Sequence, residues 1–294
     1  MKDMPRIDGN KRERRIWTED EITLALALYV QIPFAKIHYS NPNIQALAKA
    51  LNRSATSVSF KLLNLAHLDR KLQVQGVSGL SHGGRADQIV WDRFIGSTTQ
   101  KTDLSQLFNA ADNVAEHLKI KTDDYVLTPL SANQKTELEN LKDISETERE
   151  RLVSVRLHQN MFRDSVLSAY GWQCALTGLC EPKLIEAAHI KSWALCDDAE
   201  NRLTPSNGIA LSATLHLAYD NNLIGISPDF VCFVSSELLK KMKEDTPARR
   251  LFQSIHGRQL KQPNRFPPNR DYLSDRYSEF KVATDSLPSA SFST

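Results

Sequence analysis

The sequence predicts an α+β protein: a helical, helix-turn-helix-like domain at the amino terminus and a small unit of two strands and a helix nearer the carboxy terminus. Three observations predict it. Apolar residues recur at helical spacing in three stretches between Trp17 and Leu65, separated by a proline and by capping residues. Two short apolar runs, at 184–190 and 209–211, have the length of strands and are bounded by turn signals. A helical run through Thr214, Leu215, His216, Leu217, Ala218, Tyr219 and Asp220 follows directly.

Residues 1–16 form a basic arm with six basic side chains against three acidic ones. It reads equally as a phosphate-contacting arm or as a solvated end. A domain follows over 17–96. Thr18 and Glu21 are spaced as a capping box, and Ile22, Leu24, Ala25, Leu28 and Tyr29 supply the apolar stripe of a first helix that Pro33 ends. A second helix is expected from near Asn43 and a third after Ser54, with Asn52-Arg53 as the turn between them. If this is a helix-turn-helix, Arg53, Thr56, Ser57 and Lys61 project from the start of the third helix to touch DNA; the competing reading is a plain three-helix bundle. The Gly- and Ser-rich run 73–86 is loop, and Asp87 to Phe94 is a short helix packing back on this domain.

Residues 97–150 read as a connector with a weak helix near Leu104 to Leu118. From 151 to 294 runs the second domain. A helix is expected from Arg156 to Gly171, then the two strands and helix, then a hairpin around Ser227-Pro228-Asp229. Beyond Gln262 the proline-broken tail is expected to wrap the surface before a short terminal helix.

With 41% hydrophobic and 24% charged residues, the chain has a globular composition. No apolar stretch approaches the ~20 residues that cross a bilayer, and the charged amino terminus lacks a signal-peptide core, so no membrane association and a cytoplasmic location are expected. The net charge of +2 leaves nucleic-acid binding to local patches. Cys174, Cys180, Cys196 and Cys232 form no CxxC pair, so no structural zinc is expected. There is no Gly-rich phosphate loop and no nucleophilic Ser or Cys elbow, so no nucleotide cofactor is expected either.

The chemistry lies in the predicted strand–strand–helix unit. His189 closes the first strand, Asn207-Gly208 leads into the second, and His216 and Asp220 share one face of the helix four residues apart. Each alone has a plain structural reading: a core histidine, a turn, an exposed polar stripe. The run RLHQNMFRDSVLSAYGWQCALTGL, followed by EAAHI, SNGIALS and LHLAYDNNLIGIS, resembles the HNH endonuclease domain of bacterial restriction-type enzymes. The run IPFAKIHYSNPNIQALAKALNRSATSVSFKLLNLAHLD, with GVSGLS and VWDRF, is similar to the domain that often precedes it. The resemblance implies a ββα-metal fold binding one divalent ion, Mg²⁺ or Mn²⁺, with His189 as general base, Asn207 bracing the loop, and His216 and Asp220 as metal ligands. It further implies double-stranded DNA as substrate and a role in restriction of foreign DNA. One departure stands out: the residue before His189, a metal ligand in many such enzymes, is Ala188. Glu186, two positions earlier on the same strand face, is either its substitute or a surface carboxylate. Lys183, Lys191 and Arg202 flank His189 as phosphate contacts or ordinary surface charge, and Arg163 is a candidate for the groove wall. A homodimer would let one site per chain cut both strands. A DNA-binding regulator with a degenerate nuclease domain and a homing or structure-specific nickase are the alternatives.

Overall fold

The capping box expected at Thr18 forms: the Thr18 hydroxyl accepts from the Glu21 amide and the Glu21 carboxylate from the Thr18 amide, each at 3.2 Å, and α1 (Glu19–Gln31) starts there. In the computed structural model, residues 15–69, 72–73, 79–80, 83–96, 104–128, 136, 145–192, 196 and 203–285 are described. α1 is buried along nearly its whole length. Around it pack α2 (Pro42–Ala50), α3 (Ala55–Leu68), α4 (Arg85–Phe94) and α5 (Leu104–Leu118). α2 begins slightly before Asn43, because Asn41 caps it and Pro42 occupies its first turn, where a missing N–H costs nothing.

The connector segment proves to be partly core. Leu104, Leu107, Phe108 and Ala111 of α5 are fully buried against α1, so the helical core does not close at residue 96. The third helix also departs from expectation. Arg53 does not project: its side chain is 6% exposed, paired with Glu21 at 2.7 Å, and stacked 4.1 Å from the Trp17 ring centre. Burial alone would raise the Glu21 carboxyl; the hydrogen bonds from Arg53 and the Thr18 amide, with the Arg53 and Arg15 charges, outweigh it and hold the carboxyl below its usual range. Lys61 is likewise buried, its ammonium 2.5 Å from Asp87, which is 1% exposed. Ser57 stays near the start of α3, half-buried, its amide donating to the capping Ser54 hydroxyl. Of the four side chains expected to touch DNA, Arg53 and Lys61 serve internal ion pairs.

α6 (Glu146–Ala169) starts ten residues before the expected Arg156, capped by Ser145. It joins the two halves of the protein. Met161 and Ala169 enter the first core, while Phe162, Val166 and Leu167 enter the second. Between these stripes Asp164 is fully buried, and its Oδ2 has no hydrogen-bond partner among the described residues. Burial pushes its carboxyl up to about 6, against the opposing pull of Thr128 and Arg163. The folded chain therefore holds this proton between about pH 4 and 6 while the unfolded chain has lost it, and stability falls as pH rises through that window. Asp164→Asn is expected to leave stability near pH 4 little changed and to raise it at pH 8 by up to about 3 kcal/mol. Urea unfolding at both pH values checks this; an equal difference at the two would contradict it.

The second core holds β1 (Ile185–His189), β2 (Gly208–Ser212), α7 (Ala213–Asp220), β3 (Ile224–Ile226), β4 (Cys232–Val234), α8 (Ser236–Lys241), α9 (Pro247–Ile255) and α10 (Arg270–Asp285). β1 and β2 form one antiparallel pair, β3 and β4 another. The tail beyond Gln262 does not simply wrap the surface, nor is its helix short. Arg265 is 5% exposed and donates to the Tyr29 and Ile32 carbonyls at 3.2 and 2.8 Å and to the Ser168 hydroxyl at 2.7 Å. It thus ties the end of α1 to α6; a buried guanidinium needs such partners, and helix-end carbonyls supply them. No helix among the described residues is long and apolar enough to cross a membrane.

Candidate active site

β1 rises from a single 3₁₀ turn at Pro182–Leu184, and Arg163 of α6 holds that entry by donating to the Pro182 and Ile185 carbonyls at 2.9 and 3.0 Å. Arg163 is therefore engaged in positioning the strand rather than free to line a groove. The register pairs Ile185 with Ser212, Glu186 with Leu211 and His189 with Gly208. Residues three apart in a strand face opposite ways. Glu186 accordingly reaches α7, where a carboxylate oxygen lies 2.5 Å from His216 Nδ1, while the His189 ring stacks on Phe162 of α6, 4.4 Å between centres and 16° apart in plane.

Asn207 is completely buried and grips the backbone two residues after His189. Its side-chain oxygen accepts from the Lys191 amide at 2.8 Å, and its side-chain nitrogen donates to the Lys191 carbonyl at 3.1 Å. The Ile190 amide donates to the Asn207 carbonyl at 2.9 Å. Two chain segments sixteen residues apart are thereby clamped at the end of the hairpin. The Asn-Gly pair is not a free turn: Asn207 ends a 3₁₀ turn, Pro205–Asn207, and Gly208 opens the strand. A Cβ on Gly208 would stand 2.4 Å from Val166 Cγ2 and 3.0 Å from Phe162 Cζ. Gly208→Ala is expected to cost roughly 1–3 kcal/mol by pushing α6 from the hairpin and tilting the ring beneath His189; a melting temperature equal to wild type would refute the close approach.

α7 carries the other side chains. His216 Nε2 lies 3.3 Å from Asp220 Oδ2, one turn on, so the imidazole stands between two carboxylates, Glu186 and Asp220. Both carboxylates are half exposed, at 50% and 53%, and open to solvent ions. Ala188, wholly buried and without a donor, contributes nothing to this face. Two carboxylate oxygens and an imidazole nitrogen suit a hard divalent ion that keeps several of its waters. The set is not a closed cage: the carboxylates meet opposite edges of one ring, and among the described residues no three His, Cys, Asp or Glu side chains already surround a single point.

Lys191 is half-buried, its ammonium 5.8 Å from the Tyr272 ring centre. Arg202 lies outside the described residues. Cys174, Cys196 and Cys232 are buried thiols and Cys180 an exposed one. One neighbour of the site was missed in the sequence: Phe162, which looks like any other apolar position of α6.

A strand–strand–helix unit with a histidine closing the first strand and an acidic, imidazole-bearing helix after the second defines the class. Residues 174–227 match the family model described as HNH endonuclease, which identifies an HNH domain in the carboxy-terminal part of the chain, behind the helical region. HNH domains are nuclease domains, generally divalent-metal-dependent, with DNA as the substrate the family implies. No curated protein matches the chain.

Proposed function

We propose that the protein is an endonuclease that hydrolyses phosphodiester bonds of double-stranded DNA with one divalent ion, Mg²⁺ or Mn²⁺. The observation that carries the reading is the placing of Glu186 and Asp220 on either edge of the exposed-side His216 imidazole, with Asn207 clamping the chain that follows His189. Glu186, His216 and Asp220 are the side chains that would hold the ion, with Glu186 supplying the oxygen that Ala188 lacks. When bound, the ion supplies positive charge to the scissile phosphate and the leaving oxygen. His189, turned to the α6 side of β1 while the carboxylates face α7, is assigned in its neutral form to take the proton from a water attacking the phosphate from the flank opposite the ion. The Phe162 ring fixes the plane of that imidazole, and Asn207 fixes the backbone on which it stands. Lys191 and Lys183 are assigned to phosphate contact, which makes affinity fall as salt rises. A bacterial cytoplasmic setting, restriction of foreign DNA and a homodimer that cuts both strands belong to the same proposal and rest on the resemblance.

Supercoiled plasmid incubated with Mg²⁺ or Mn²⁺ tests it. Nicked and then linear product, abolished by EDTA, is the expected result. DNA binding with no cleavage in either ion would overturn it in favour of a regulator, and arrest at one nick in one place would favour a nickase.

A further inference from the structure

We propose that Arg276, on α10 and outside the span that matches the HNH model, is a positioning residue for the His216–Asp220 face. α7 is only eight residues long, two turns that do not hold a helix by themselves. The Asn221, Leu223 and Asn222 amides just beyond it reach the Leu217, Ala218 and Tyr219 carbonyls. Arg276, from a distant part of the chain, adds a donor to Tyr219 and reaches the Asp220 carbonyl. One guanidinium nitrogen, Nη2, donates to the Tyr219 carbonyl at 2.8 Å and to the Asp220 carbonyl at 3.1 Å. The guanidinium carbon lies 5.2 Å from the Tyr219 ring centre, and Nη1 is held 2.7 Å from Glu279 one turn along α10. The side chain is 16% exposed, and α10 itself is seated in the second core through Leu273, with Phe280 buried against Gly225 of β3. A cation at the carboxy-terminal end of a helix also offsets the partial negative charge of its dipole.

The backbone of Asp220 is thus gripped at the residue whose carboxylate meets His216. Because residues four apart share a face, holding Asp220 sets the rotation of α7 and hence the direction in which His216 points toward Glu186. A lysine carries its donors on one nitrogen and lacks the second with which Arg276 holds Glu279 while Nη2 serves both carbonyls. The inference rests on reading this face as the ion site.

The test compares wild type, Arg276→Ala, Arg276→Lys and, as a control elsewhere on α10, Lys281→Ala. Mn²⁺ binding is followed by the electron paramagnetic resonance of free Mn²⁺, plasmid nicking against Mn²⁺ concentration, and amide hydrogen exchange across α7 without metal or DNA. Arg276→Ala is expected to weaken Mn²⁺ binding roughly tenfold, as loss of a group supporting a metal ligand does, and to speed exchange at the end of α7. Nicking at saturating Mn²⁺ should stay close to wild type, Arg276→Lys should recover part of the affinity, and Lys281→Ala should match wild type. A folded Arg276→Ala protein with wild-type Mn²⁺ affinity overturns the proposal. If that variant does not fold, Arg276→Lys carries the comparison, and unchanged affinity there overturns it equally. Wild type that binds no Mn²⁺ removes the ion site itself, a failure distinct from loss of the Arg276 effect.

Discussion

Replacing His189 with alanine is expected to lower DNA cleavage roughly 10²–10⁴-fold, the contribution of a well-placed general base, while DNA affinity and Mn²⁺ affinity stay near wild type. The separation is possible because the ring belongs to the α6 side of β1, stacked on Phe162, whereas the acidic cluster belongs to the α7 side. Loss of the ring removes a proton acceptor without removing a carboxylate. His216→Ala should behave differently: it takes the nitrogen from between Glu186 and Asp220, so affinity for the ion falls together with the rate. Single-turnover cleavage of unmodified, methylated and hydroxymethylated DNA by each variant gives the readout. Equal rates for wild type and His189→Ala on every substrate would remove the base assignment.

Lys61→Ala is expected to cost about 3–5 kcal/mol, because it leaves the Asp87 carboxylate, 1% exposed, without its counter-ion. One Asp87 oxygen keeps the Gly84 amide at 2.8 Å, but a single backbone donor does not neutralise a buried charge. Against a total stability of ~5–15 kcal/mol for a domain, such a loss removes a large part of the margin. Replacing Lys61 and Asp87 together by leucine should recover most of it, since the cost lies in the orphaned charge rather than in the missing attraction. Urea denaturation of the two variants decides the matter. A Lys61→Ala protein as stable as wild type but weaker on DNA would restore the recognition role that the spacing suggested.

The local signals of the sequence proved dependable where both partners sit close together. Thr18 with Glu21 and Ser54 with Ser57 are three residues apart, and both caps form; the two strands were marked as short apolar runs between turn signals, and they pair although their partners lie 19 to 27 residues apart. The HNH unit was legible for the same reason, as three chemistry-bearing side chains fall in order on short elements. What escaped depends on partners far along the chain. Arg53 and Lys61 have the position of DNA contacts in a helix-turn-helix, and only Glu21 and Asp87, 32 and 26 residues away, turn them inward. The first turns of α6, ETERER, carry no apolar stripe, so nothing but the Ser145 cap marks that start. Glu186 reads from the sequence as a ligand or a surface carboxylate, because its contact with His216 comes from α7, thirty residues on.

Arg265 carries a last consequence. Its charge is balanced by carbonyls at the end of one half of the molecule and a hydroxyl in the other, more than 230 and nearly 100 residues back along the chain. A fragment that begins at residue 151 would strand that guanidinium in an apolar seam and bare one whole stripe of α6. The HNH domain is therefore not a detachable cassette: excised from its helical companion it should precipitate, and any exchange of front ends between such proteins would have to carry the matching seam with it.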